Sequence, residues 1–168
     1  MAGPAAAVVF EDPTLKRLTW REMMSDIADQ WLDDNFCWVS DSTKFGGRYV
    51  GEPRPFVGDV YAIDQYYGIC PDELTATNLA TGLNLTHLVE LAAMCKSSED
   101  HRVLCEIACR LAERHHGYVG FNDVISEKPC AGLLTIAWTE GGMAITTQTG
   151  SPQACKWWMS QENFRMVK

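Results

Sequence analysis

Residues 97–121 read SSEDHRVLCEIACRLAERHHGYVGF, and this stretch describes one amphipathic helix running into a turn and a strand. Ser97 and Asp100 have the spacing of a capping box: a side-chain oxygen satisfies a free amide of the first turn, and an acid sits at the positive helix end. Val103, Leu104, Ile107, Ala108, Leu111 and Ala112 recur at three- and four-residue intervals and form a core face. Arg102, Glu106, Arg110 and Glu113 lie opposite, as a solvated and salt-bridged surface. His115 and His116 occupy the last turn, where a donor or positive charge is favoured, and Gly117 is expected to take the left-handed conformation that ends the helix.

The neighbours of this helix read as strands. Residues 87–95, HLVELAAMC, are apolar almost throughout. Periodicity does not separate strand from helix here, but the cap at Ser97 needs a turn before it, so a strand is expected. Tyr118 to Phe121 continues as a brief strand. Gly132 to Thr139, then Gly141-Gly142, then Met143 to Thr147 form a β-hairpin pattern. Ser151-Pro152 opens a final helix carrying Ala154, Trp157 and Trp158.

At the other end, Ala5 to Phe10 is a short β-branched strand. Thr19 and Glu22 form a second capping box, and Trp20, Met23, Met24, Ile27 and Trp31 follow at helical spacing. On a helix through this segment, Glu22, Asp26, Asp29 and Asp33 fall in one acidic stripe that no basic residue interrupts. Like charges four apart cost helix stability, so the stripe is a candidate docking ridge as well as a candidate solvated face. Phe36 to Ser40 and Asp59 to Ile63 read as strands. Between them, Gly46-Gly47 permits a tight turn, and Pro53 and Pro55 favour an extended surface segment over a central strand. Cys70-Pro71-Asp72 reads as a turn, with Asp72 available to cap a short helix through Leu79.

The strand and helix order implies an α+β fold: one domain over 1–168, with a largely antiparallel sheet packed against two to four helices. A chain of 168 residues, 46% hydrophobic and 21% charged, can bury a core without metal or disulfide staples. Seven cysteines with no CxxC pair point to buried free thiols in a reducing compartment. No apolar run has the length of a membrane span, and residues 1–10 lack the pattern of a secretory signal, so a cytoplasmic location is expected. A net charge of −8 opposes direct nucleic-acid binding and would steer a basic partner.

Candidate chemistry is sparse. Asp100-His101 is the one plausible acid/base pair, but adjacent helix positions diverge and no nucleophile accompanies them. His101 and His115 edge the apolar face and suit packing. His115-His116 lacks the companions of a metal site, and Cys105 and Cys109 suit the core. Most of the six tryptophans are expected to be core residues as well. No catalytic residue, cofactor or metal is therefore assigned. The glycine- and proline-rich region from 48 to 67 combines Arg48, Tyr49, Arg54, Asp59, Asp64, Tyr66 and Tyr67, and forms a second candidate partner surface.

Three parts of the chain carry a family likeness: His101-Arg102-Val103-Leu104 through Gly117-Tyr118-Val119-Gly120-Phe121, the Trp157-Trp158 helix, and the closing Phe164-Arg165-Met166-Val167-Lys168. Together with the Gly3-Pro4 start and the Gly47-Arg48 turn, they resemble a family of small bacterial proteins similar to immunity proteins encoded beside polymorphic toxins. The resemblance implies a protein of the bacterial cytoplasm that binds and neutralises a cognate toxin or effector. Such a partner would be basic and act on nucleic acid or a nucleotide, and neutralisation would come from occluding its active site. The alternatives are a hydrolase that reverses the toxin's modification, using Asp100 and His101, and a chaperone or adaptor that loads an effector for secretion.

Overall fold

The computed structural model describes residues 3–12, 18–40, 42–45 and 52–166. Eight strands form one sheet: β1 (Ala5–Phe10), β2 (Gln30–Trp31), β3 (Phe36–Val39), β4 (Arg54–Ala62), β5 (His87–Ala93), β6 (Tyr118–Gly120), β7 (Leu133–Glu140) and β8 (Met143–Gly150). Their order is β2-β3-β4-β5-β1-β6-β8-β7, and every pairing is antiparallel. Among the described residues four α-helices accompany them: α1 (Trp20–Met23), α2 (Pro71–Thr81), α3 (Ser98–Arg114) and α4 (Pro152–Met159). The α+β class with an antiparallel sheet is the one that the sequence implies.

Alternation in the strands divides the sheet into two faces. Ala6, Val8 and Phe10 of β1, Val89, Leu91 and Ala93 of β5, and Phe56 of β4 are buried with Val103, Leu104, Ile107 and Leu111 of α3 in the main core. Each fully buried Val, Leu, Ile or Phe side chain of this set contributes about 1.5–3 kcal/mol relative to exposure. The capping box of α3 forms as its spacing predicts: Ser97 Oγ accepts from the Asp100 amide, and Asp100 Oδ2 accepts from the Ser97 amide. The hairpin turns on Gly141 and Gly142, at φ 58° and 82°, the pair of positive values that a two-residue type I′ loop requires. Ser151 caps α4, and residues 87–93 are a strand.

Four local expectations are corrected. The first concerns the N-terminal helix. Thr19 and Glu22 do form a capping box, but the helix is a single turn ending at Met23. Arg114 Nη1 takes the Met23 carbonyl, Lys44 Nζ takes that of Ile27, and the Asp29 amide donates to Trp38 O. Backbone groups that would have continued the helix are thus spent on other elements. Second, β4 runs between β3 and β5 from Arg54 onward and includes Pro55. Pro55 is tolerated near the strand start, where its carbonyl accepts from the Met94 amide. Third, α2 begins at Pro71 with Cys70 as its cap, Sγ accepting from the Glu73 amide, so Asp72 lies inside the first turn.

The fourth correction lies at the end of α3. His116, not Gly117, is left-handed, at φ 52°. The Gly117 amide reaches Ala112 O and the His116 amide reaches Glu113 O, so His116 occupies the left-handed position of a Schellman motif. Gly117 is needed one residue later, where a Cβ would stand 2.3 Å from Val9 O.

Two tryptophans, Trp20 and Trp158, are fully buried, and Trp31 and Trp157 pack partly buried against the same core. The seven cysteines are free, and Cys37, Cys105, Cys109 and Cys155 are buried. No helix among the described residues is long and apolar enough to cross a membrane.

Candidate functional site

The four acids of the proposed N-terminal ridge do not share a helix face. Glu22 closes the capping box on the Thr19 amide. Asp26 receives two bonds from Arg114 Nη2, both at 2.6 Å, and these outweigh its burial cost to hold its carboxyl below the ordinary value. Asp29 pairs with Lys44 at 2.7 Å and accepts from the Ser40 amide. Asp33 accepts the amides of Asn35 and Phe36 and so shapes the turn between β2 and β3. Each acid therefore has a partner within the fold, and the four do not form one helical ridge.

Of the second candidate set, Arg48 and Tyr49 lie outside the described residues. Arg54 is structural: its Nη1 donates to Asp100 Oδ1 at 2.5 Å and to Ser97 Oγ at 3.1 Å, anchoring β4 to the start of α3. Asp64 and Tyr67 are exposed. Asp59 and Tyr66 remain, and both line the sheet face that α3 and α4 leave uncovered.

On that face Val57, Asp59 and Tyr61 of β4, Glu90 and Ala92 of β5, and Ala5 and Ala7 of β1 project together. The alanines make a low floor, and the larger side chains rise beside it to leave a trough of about 390 Å³. Ala7, Glu90 and Asn122 are shared with a cleft of about 250 Å³ that runs towards α2 and the β7–β8 hairpin, where Tyr66, Glu73 and Thr77 contribute walls. Asn122 holds a left-handed backbone, φ 54°, at this junction.

Asp59 and Glu90 are directly opposite one another in the β4–β5 register, an arrangement that costs stability for like charges. Tyr66 Oη donates to Glu90 Oε1. Tyr61 lies beside Asp59 on the same strand face, and Asp59 Oδ1 accepts the Val60 amide. The two tyrosine rings tilt against each other with centroids 5.0 Å apart. Burial, then the neighbouring carboxylates, push both phenols above their ordinary value, so they stay protonated as donors. Glu73 is also pushed up by burial and by Glu140, against the pull of a hydrogen bond at the Cys70 backbone.

Among the described residues no cation pairs with Asp59, Glu90 or Glu73, whereas Asp26, Asp29, Asp100 and Glu113 each have one. Nor is any group of three or more His, Cys, Asp or Glu side chains among the described residues placed to hold a metal ion. Sequence reasoning missed Glu90, although it is the single carboxylate within HLVELAAMC. Tyr61 and Glu73 carried no such signal, because nothing local shows which face of a strand or helix will meet a cleft.

Asp100 and His101 do not form a working acid/base pair. Asp100 is buried under Arg54 and Ser97, and His101 Nδ1 accepts the Met166 amide at 2.9 Å. His115 stacks on Phe10, which stacks in turn on His87.

No curated protein and no solved structure matches this chain. The model of a family of unknown function, DUF6368, matches residues 2–168, and the chain belongs to that family.

Proposed function

We propose that this protein is a binding protein of the immunity type, which docks a basic protein toxin on the open face of its sheet and neutralises it by covering its active site. The observation that carries this reading is the pair Asp59 and Glu90, set opposite one another in a trough with no internal counter-ion among the described residues. Elsewhere Asp29 is paired with Lys44, the buried Asp100 with Arg54, and Asp26 with Arg114. A like-charge pair kept on adjacent central strands costs folding stability, and a partner's positive charge would offset that cost on binding. The net charge of −8 favours fast, salt-sensitive association with such a partner. The family resemblance of the α3–β6 segment and the C-terminal tail supports the same reading.

The test is co-expression with the toxin-type product of the adjacent reading frame. Protection of growth and a stable one-to-one complex are expected from the wild type. The double variant Asp59→Asn, Glu90→Gln should lose both while melting at the wild-type temperature or above. A double variant that still protects and still forms the complex would exclude this face.

A further inference from the structure

The open sheet face also defines what kind of group it can seat. The trough has an alanine floor, Tyr61 as one wall, and two carboxylates at directly opposed positions of adjacent strands, while Tyr66, tilted against Tyr61, lines the adjoining cleft. Directly opposed positions on antiparallel strands hold their Cβ atoms about 4.5–5.5 Å apart, so the carboxylates present acceptors on either side of a narrow slot. Tyr66 already donates to one oxygen of Glu90, and Asp59 accepts from the Val60 amide. Tyr66 therefore orients Glu90 without neutralising it. A metal ion is a poor occupant, because no third ligand joins the pair among the described residues. A planar cation fits better: it can donate to both carboxylates at once and lay its face on an aromatic ring.

We propose that the trough seats an arginine side chain projecting from the protein partner, with its guanidinium forked between Asp59 and Glu90 and lying against the ring of Tyr61. The proposal rests on the reading of this face as the docking surface, and it names the group that the face selects. Lysine is disfavoured, since an ammonium is a strongly hydrated point charge that can neither fork in a plane nor stack. The aliphatic stem of arginine would cover the floor of Ala5, Ala7 and Ala92 and exclude water from the ion pair, which strengthens it.

Three acetylated and amidated tripeptides, Gly-Arg-Gly, Gly-Lys-Gly and Gly-citrulline-Gly, should be titrated to millimolar concentration into the isotope-labelled full chain, following backbone amide shifts. The arginine peptide should shift amides of β4 and β5 around Asp59 and Glu90 and bind about tenfold or more tightly than the citrulline peptide, which keeps the shape without the charge. It should also outbind the lysine peptide. Binding should fall about tenfold or more in Asp59→Asn, Glu90→Gln, with the thermal midpoint of that variant confirming its fold. The proposal is overturned if the arginine peptide gives no shift, if lysine or citrulline binds equally well, or if the double variant binds unchanged. The co-expression assay separates the two readings. If the double variant loses the toxin complex but the tripeptides are not discriminated, the guanidinium is wrong and the docking face stands; if the complex survives in the double variant, the docking face itself fails.

Discussion

At the scale of single residues, buried polar groups in this protein act mostly as fasteners. Asp100 is 1% exposed and Arg54 is its only cation among the described residues. Replacing Arg54 with Met leaves a carboxylate desolvated without its charge partner and should destabilise the fold by about 3 kcal/mol in chemical denaturation. A loss below about 0.5 kcal/mol would mean that Asp100 is not relying on that pair. Burial acts to raise the Asp100 carboxyl, but the bonds from Ser97 and Arg54 outweigh it and hold the group below 3.8. A depressed acid contributes stability above its unfolded value, and that contribution is lost as pH falls through the folded value. His101 titrates in a different window. Burial holds its imidazole below 6.5, despite the charge of Asp100. The folded state therefore takes up this proton later than the unfolded chain. Its contribution is complete above about 6.5 and declines as pH falls from there through the lower folded value. Protonation also removes the acceptor that Met166 uses. Melting wild type and His101→Gln between pH 7.5 and pH 5 should show a shallower pH slope in the variant, accompanied by the unchanged contribution of His115, which burial also holds low.

At the scale of elements, the end of α3 shows how a helix stop and a strand approach divide their requirements between two residues. His116 takes the left-handed conformation, and Gly117 provides the missing side chain against β1. Substituting His116→Gly should stabilise the protein by about 0.5–1 kcal/mol by relieving the strained backbone. Gly117→Ala should cost about 2–3 kcal/mol, because its Cβ meets a backbone carbonyl that cannot swing away. Calorimetry of the two variants would separate these roles, and equal effects would refute the division. The neighbouring Arg114 has a comparable double duty, capping Met23 O and pairing with Asp26. It ties the short α1 to the far end of α3, and this tertiary bond decides where the N-terminal helix stops.

At the scale of the whole molecule, α3 and α4 lie on the side of the sheet away from the trough, while α2 lines the cleft beside it, so the main core and the two trough acids use different side chains. Gly58 marks the boundary. Its neighbours Val57 and Asp59 face the trough, while a Cβ at Gly58 would stand 2.8 Å from the Trp20 ring. Changes on the open side should therefore leave stability intact or improve it: Asp59→Asn alone should raise the unfolding free energy by up to about 1 kcal/mol by removing a like-charge contact. A clear loss in thermal melts would instead assign Asp59 a folding role through the Val60 amide.

The sequence by itself determined the elements whose signals are local. The α3 capping box and apolar stripe, the Gly141-Gly142 hairpin and the Ser151-Pro152 helix start each depend on residues within a few positions, and each formed where the pattern places it. The same local reading extended α1 through an acidic stripe that does not exist. Like-charge spacing on a helical wheel cannot anticipate Arg114 and Lys44, which arrive from 88 and 15 residues away. The trough was half legible. Asp59 and Tyr66 stood out as a charged and an aromatic residue in a turn-rich region, but Glu90, Tyr61 and Glu73 joined them only when β4 and β5 paired in register and α2 folded across the sheet. Local sequence sets backbone preference and face. Which two faces meet, and which charges remain without a partner, is a property of long-range pairing, and only the tertiary structure decided it.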